Sequence, residues 1–326
     1  MHDMKGLQSR GIVIGRIGIF GFGFLLLHWT VNFLYTEVVL SHSLVYRVEE
    51  QFQQNKEDLS VVFLGDSHPR NSVNPTYMEH AFNFATGGEN YIQTYYKLRY
   101  YLEEERLDIK TVVLPLDLHS FSGKRSDEFR DNNYWQKYLN YWEIAQVKNG
   151  NFQILNFWLD GEMAYWHGAD ETESFLVNFQ VEMEKGFVPR GQIIKSAEGK
   201  YIGGMAKARA RGQLSRKRVI DEAIVYYFKE LLKLCTRNGI QVVFVRYPVT
   251  REYYSVAIKI VPIEEYYNEL TGIIEEFIDS PIILDFHDKY WDQPNFFGDV
   301  DHLNIYGAED FSSILWEEMK KFGVTP

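Results

Sequence analysis

A chain of 326 residues with 45% apolar and 24% charged residues can bury a full globular core, as one large domain or a domain with an insertion. Its formal net charge of -11 offers no basic surface for a phosphate backbone, which excludes nucleic acid as the main partner. The single cysteine, Cys235, excludes an internal disulfide and a cysteine-based zinc cluster.

Residues 11–35 are nearly all apolar, interrupted by Arg16 and His28, and 17–27 contain no polar residue. A spanning helix needs roughly 20 mostly apolar residues, and this run reaches that length if Arg16 snorkels toward the near interface. Lys5, Arg10 and Arg16 precede the apolar centre, whereas Glu37, Glu49 and Glu50 follow it. The positive-inside rule then leaves residues 1–10 in the cytoplasm and sends the rest across. No small-residue cleavage site follows, so 11–35 reads as an uncleaved single-pass anchor in the lipid bilayer, with Trp29 and Tyr35 in an interfacial aromatic belt. The polar stretch 36–58 reads as a stalk carrying a short helix.

A domain spanning 59–326 follows. Apolar, β-branched runs at 59–65, 81–85, 111–116, 240–247 and 281–285 predict strands. Stretches with helical periodicity lie at 90–105, 215–237, 263–279 and 307–322, the signature of parallel βαβ units. The expected fold is α/β, a flavodoxin-like αβα sandwich with a roughly five-stranded parallel sheet. Residues 117–214 break the rhythm and read as an insertion lying over the strand ends. It begins with a helical stretch at 131–147 carrying Trp135 and Trp142. The basic run Lys207, Arg209, Arg211, Arg216, Lys217 and Arg218 near its end reads as a solvated face, or as a contact for anionic lipid or glycan. Aromatic residues, 16% of the chain, read mainly as packing, with stacking on sugar faces as the functional alternative.

Ser67 follows the first strand in Gly65-Asp66-Ser67-His68. In an open α/β sheet, ligands bind at the carboxyl ends of strands. A serine hydroxyl there needs a base within hydrogen-bond reach, and histidine suits that task. A carboxylate on the other ring nitrogen fixes the tautomer and stabilises the imidazolium that forms. Asp299 and His302, three residues apart, can be presented by one loop; Asp301 is the competing acid. His68 is expected to point away from the serine on an extended backbone, as a structural or substrate-facing residue. His119, His167 and His287 read as surface or packing histidines, and no spacing of ligands predicts a metal site.

Gly65-Asp66-Ser67, Asn83-x-Ala85-x-x-Gly88 and Asp299-x-x-His302, each at a strand end or before the last helix, resemble the first, second and fifth sequence blocks of the SGNH (GDSL-type) hydrolases. The resemblance spans roughly 59–322, apart from the insertion. It implies the SGNH fold, with Ser67 as nucleophile, His302 as base, Asp299 as its orienting acid, and the Ser67 and Gly88 amides as oxyanion donors. The family's third donor, an asparagine side chain of block three, has no match in Pro115-Leu116-Asp117-Leu118, which leaves Asn90, a protonated Asp117 or a backbone N–H as the substitute. Arg70, Asn71 and Arg246 are the substrate-contact candidates, with capping and turn formation as their other role.

The anchor, the stalk and Asn74-Pro75 after the serine block resemble membrane-anchored, extracytoplasmic members that modify cell-envelope polymers, the DltD-like and alginate-acetylation-like proteins. That implies a serine esterase or O-acyltransferase without a cofactor. It would act outside the cytoplasm, at the periplasmic or cell surface, on an acylated glycan or acyl donor, alongside a membrane-bound acyltransferase. The alternative is a non-catalytic envelope assembly or binding partner.

Overall fold

The computed structural model describes residues 2–126, 132–147, 151–165, 183–191, 199–214 and 218–324. Helix α1 (His2–Tyr35) continues into a short wider turn, Thr36–Leu40. Within it Gly15–Leu40 is long and apolar enough to cross a membrane. Its apolar side chains, Phe20, Phe22, Phe24 and Leu27 among them, stand exposed rather than packed on the domain.

Helix α2 (Leu44–Asn55) was expected to be a polar stalk, yet Val48 and Phe52 are buried in the core, with Phe52 stacked on Phe84. Its charged residue Glu49 is also buried. Tyr101, Tyr134, Tyr138 and Lys137 all donate hydrogen bonds to its carboxylate. Burial alone would raise its pKa, but Lys137 and the tyrosine hydroxyls hold the carboxylate below its ordinary value.

The alternation of strands and helices then proceeds as β1 (Val61–Phe63), α3 (Ser67–Ser72), β2 (Ala81–Asn83), α4 (Tyr91–Glu103) and β3 (Thr111–Pro115). Residues of the expected insertion form α5 (Gly123–Ser126), α6 (Asn132–Trp135), α7 (Tyr141–Val147), α8 (Asn151–Glu162) and α9 (Gly199–Gln213). The chain returns through α10 (Glu222–Arg237), β4 (Gln241–Arg246), α11 (Arg251–Ala257), α12 (Ile263–Glu275), β5 (Ile282–Asp285) and α13 (Ile305–Lys321). Of the predicted helix 131–147, residue 131 lies outside the described residues, and the rest is two short helices rather than one.

The five strands pair in the order β2-β1-β3-β4-β5, all parallel. β1 to β4 are buried on both faces, which is why they read as continuous apolar runs. Helix α10 packs against α4 and α12, whereas α13 packs against α3, so the sheet lies between two helical layers. The order of the strands reverses between β1 and β3, and the crevice at such a switch point is where ligands bind in open sheets of this type.

Gly65 turns the chain out of β1 at φ +115°, and a Cβ there would stand 2.6 Å from Pro115 Cγ at the end of β3. Gly65→Ala is therefore expected to destabilise the fold by about 2–4 kcal/mol, from backbone strain and overpacking together. Chemical denaturation followed by circular dichroism would measure it.

Candidate active site

Ser67 is the first residue of α3, directly after the Gly65 turn. Asp66 caps that helix by accepting from the His68 amide at 2.9 Å. Asn83 at the end of β2 ties the helix down, its side-chain amide donating to the Pro69 carbonyl at 2.7 Å and the Val73 carbonyl at 2.8 Å. The aspartate of the first motif and the asparagine of the second thus fix the helix that carries the serine.

Ser67 Oγ lies 2.8 Å from His302 Nε2. His302 Nδ1 faces Asp299 at 2.9 Å and 3.0 Å from its two oxygens, and 3.4 Å from Asp301. The Asp299 carboxylate also accepts from the Asp301 and His302 amides, so one tight loop sets acid and base together. A proton on Nδ1 directed at Asp299 leaves the Nε2 lone pair for the Ser67 hydroxyl. Sequence spacing and structure agree in bringing Ser67, His302 and Asp299 into one hydrogen-bonded chain.

Two arginines from the expected insertion close on this chain. Arg190 Nη2 lies 2.9 Å from Asp299, with Nη1 3.0 Å from His302 Nδ1. Because Nδ1 directs its proton at Asp299, Arg190 acts on the carboxylate and not as a donor to the ring. Arg209, on α9, gives its Nε–H to both oxygens of Asp301 at 3.0 and 2.8 Å, and its Nη2 lies 3.5 Å from His302 Nε2. The basic run is thus not wholly a solvated face. Arg218 pairs with Asp221, while Arg216 and Lys217 lie outside the described residues. Arg190→Gln, which frees the Asp299 carboxylate to swing, is expected to lower kcat about ten-fold with KM unchanged in an ester-cleavage assay.

Beneath the chain lies a buried network that the sequence did not announce. His68 was expected to point away on an extended backbone. Its residue instead belongs to the first turn of α3, and helical rotation sends the ring inward, with Nδ1 2.8 Å from Asp117 and Nε2 3.5 Å from Asp301. Burial pushes the His68 pKa down, but Asp117 and Asp301 overcome that and carry it up to about 10, so His68 is an imidazolium at neutral pH. Burial works against the Asp301 charge as well. The neighbouring imidazoles and Arg209 nonetheless hold it well below the usual carboxylate range, with Gln213 donating at 2.8 Å.

His119 is no surface histidine: its Nε2 donates to Asp66 at 2.7 Å, beside Arg125 at 3.2 Å. Burial chiefly lowers the His119 pKa, against the opposite pull of Asp66. His119, His68 and Arg125 offset the desolvation of Asp66 and hold it below the usual carboxylate range. The ligand atoms of Asp66, His68 and His119, and those of His68, Asp301 and His302, lie within 4.8 Å of one another. Both groups share His68, whose two ring nitrogens already face Asp117 and Asp301.

The remaining candidates fall elsewhere. Asp117 cannot serve as a protonated oxyanion donor in this arrangement: it accepts from His68 and, at 2.8 Å, from the Tyr247 amide. Asn90 caps α4 with its oxygen and gives its NH₂ to the Arg125 carbonyl, so it too is turned away. Gly88, at φ +84°, lies in the loop after β2. That loop is held by the buried Glu89–Lys97 pair at 2.5 Å, with Lys97 also donating to the Phe84 carbonyl. Asn71 is buried and donates to the Val188 carbonyl, which makes it a fastening rather than a substrate contact. The Arg70 guanidinium lies over Gly87, beside that same loop. Arg246 pairs with Asp285, stacks over Tyr267 and lines a cleft with His68, Asp117 and His119. His287 bonds Asp285, and His167 lies outside the described residues. A stronger sequence signal for Arg190 and Arg209 did not exist, because neither sits in a motif.

No protein-family model matches the chain, and no curated protein sequence matches it. Among solved structures it is similar to one from Bacteroides fragilis described as a "putative acylhydrolase", at 12% identity and a TM-score of 0.40, over 84% of this chain and 96% of that one. A likeness that distant does not extend to chemistry, and the site rests on its own geometry.

Proposed function

We propose that the chain is a membrane-anchored, SGNH-like serine esterase or O-acyltransferase acting on acyl groups of a cell-envelope or exported polysaccharide. The observation that supports this is the hydrogen-bonded chain Ser67–His302–Asp299 at the switch point of the sheet. Ser67 Oγ attacks the acyl carbonyl while His302 Nε2 takes its proton, and Asp299 stabilises the imidazolium. The tetrahedral oxyanion is held by the Ser67 and Gly88 amides. Its collapse gives an acyl-serine as His302 returns the proton to the leaving oxygen. Water or a sugar hydroxyl, deprotonated by His302, then takes the acyl group.

In this reading α1 is the anchor, with 1–10 inside and the domain outside, as the flanking charges favour. Arg190 and Arg209 make residues of the insertion part of the site. The experiment is mass spectrometry of the protein after incubation with an activated acetyl donor. An acetyl adduct on Ser67 in the wild type and none in His302→Ala supports the reading; a wild type that never acylates sinks it. The non-catalytic alternative, a binding partner of a membrane acyltransferase, is favoured by one observation, the carboxylate of Asp117 where the family places an asparagine. Unchanged acyl content of the polymer in Ser67→Ala cells would select it.

A further inference from the structure

Helices α7 and α8 pack against each other and leave Tyr141, Trp142, Leu155 and Trp158 exposed, Trp142 to 73%. Leu155 and Trp158 are three residues apart and so share one face of α8. Four large apolar side chains on one helix pair form a patch that a soluble surface does not need.

The end of α8 shows what lies beside that patch. Just beyond it, the Ala164 amide donates to the Asn32 side chain at 2.6 Å, and the Tyr165 hydroxyl lies 2.9 Å from His28 Nδ1. Both partners are on α1. The stretch of α1 before them, from 11 to 28, is about 27 Å long, close to the thickness of a hydrocarbon core of roughly 30 Å. Counted from Gly15, the same core ends near Tyr35, so the outer membrane face falls between about Trp29 and Tyr35, beside the end of α8. The chain also enters the domain on that side: Leu44 and Val45 line one cleft with Arg70 and Gly87, at the carboxyl ends of the strands.

We infer that α7 and α8 dock on the outer surface of the lipid bilayer that α1 crosses, with Trp142, Leu155 and Trp158 inserted at the headgroup level. Interfacial tryptophans on an amphipathic face are the chemistry that such a surface selects. The inference rests on α1 being the anchor, and it makes the domain a body lying on the membrane rather than one swinging from it. The site then faces the layer just above the headgroups.

The test uses nitroxide labels in the full chain reconstituted in phosphatidylcholine vesicles. Cys235 is buried, with its thiol pushed up to about 12, so it will not take the label. Labels are placed at Trp142→Cys and Trp158→Cys. Phe20→Cys reports on the anchor, and Phe322→Cys is a control beside Gln241, at the opposite end of the strands. The expected result is a depth of about 5–10 Å below the phosphates at 142 and 158, with Phe20 deeper and Phe322 in water. Labels at 142 and 158 that read as aqueous while Phe20 reads as buried would overturn the docking and spare the anchor. Shielding of either from both oxygen and a nickel chelate would mark a protein partner and overturn it as well. An aqueous Phe20 label would remove the anchor and the docking together.

Discussion

Ser67→Ala is expected to lower kcat for ester cleavage by about 10⁴–10⁶-fold, leaving only what binding and oxyanion contacts supply. The fold should survive, because the Ser67 hydroxyl bonds to His302 and the side chain is partly exposed, so its loss opens no cavity in the core. Asp299→Asn should cost about 10⁴-fold by a different route. An amide oxygen can still accept from the Asp301 and His302 backbone, which preserves the loop, but it no longer holds the Nδ1 proton against a charge. Turnover of an aryl acetate and labelling by a fluorophosphonate read both variants. A folded Ser67→Ala protein that still labels and turns over at the wild-type rate would rule out the serine mechanism.

The second large effect lies beneath the chain of Ser67, His302 and Asp299. Asp301→Ala should destabilise the protein by about 3–5 kcal/mol, since it strips a partner from His68 and from Arg209 inside the protein. The same pairing predicts how stability follows pH. His68 has a folded pKa of about 10 against an ordinary 6.5, so its stabilisation is complete below pH 6.5 and is lost as pH rises toward 10. Between those limits the slope approaches about 1.4 kcal/mol per pH unit. Asp66 and Asp301 work in the opposite sense: their pKa values are depressed, so their contribution holds above the ordinary carboxylate value and fades as pH falls below it. Denaturation curves from pH 4 to 10 should decline on the alkaline side in the wild type and flatten there in His68→Gln. An alkaline limb identical in both proteins would show that His68 is not the group involved.

The hydrogen-bonded chain of Ser67, His302 and Asp299 was legible because it lies in short local motifs: a serine after a buried strand, and an aspartate and a histidine three residues apart. The sheet was legible for a related reason, since strands buried on both faces cannot hide their apolar runs. What escaped was set by tertiary contact. Glu49 made 36–58 look solvated, although Leu44, Val48 and Phe52 repeat at four-residue spacing along α2 and that period could have been read. His68 was misdirected by assuming that extended backbone continued past β1. Asp117 and Asn90 were weighed as donors because of where they stand in the chain, and only the structure shows both turned to other partners. Arg190 had no signal and Arg209 only a place in the basic run, because the partners of both come from a loop more than ninety residues later.

The contact between Ser67 and His302 spans 235 positions. At about 5–20 residues per second of synthesis, roughly 10–50 s separate the appearance of the serine from that of its base. During that interval the hydroxyl lacks the imidazole that stands beside it in the folded protein. The contact between Ser67 and His302 forms only when the last βα unit docks, which places completion of this site at the end of folding.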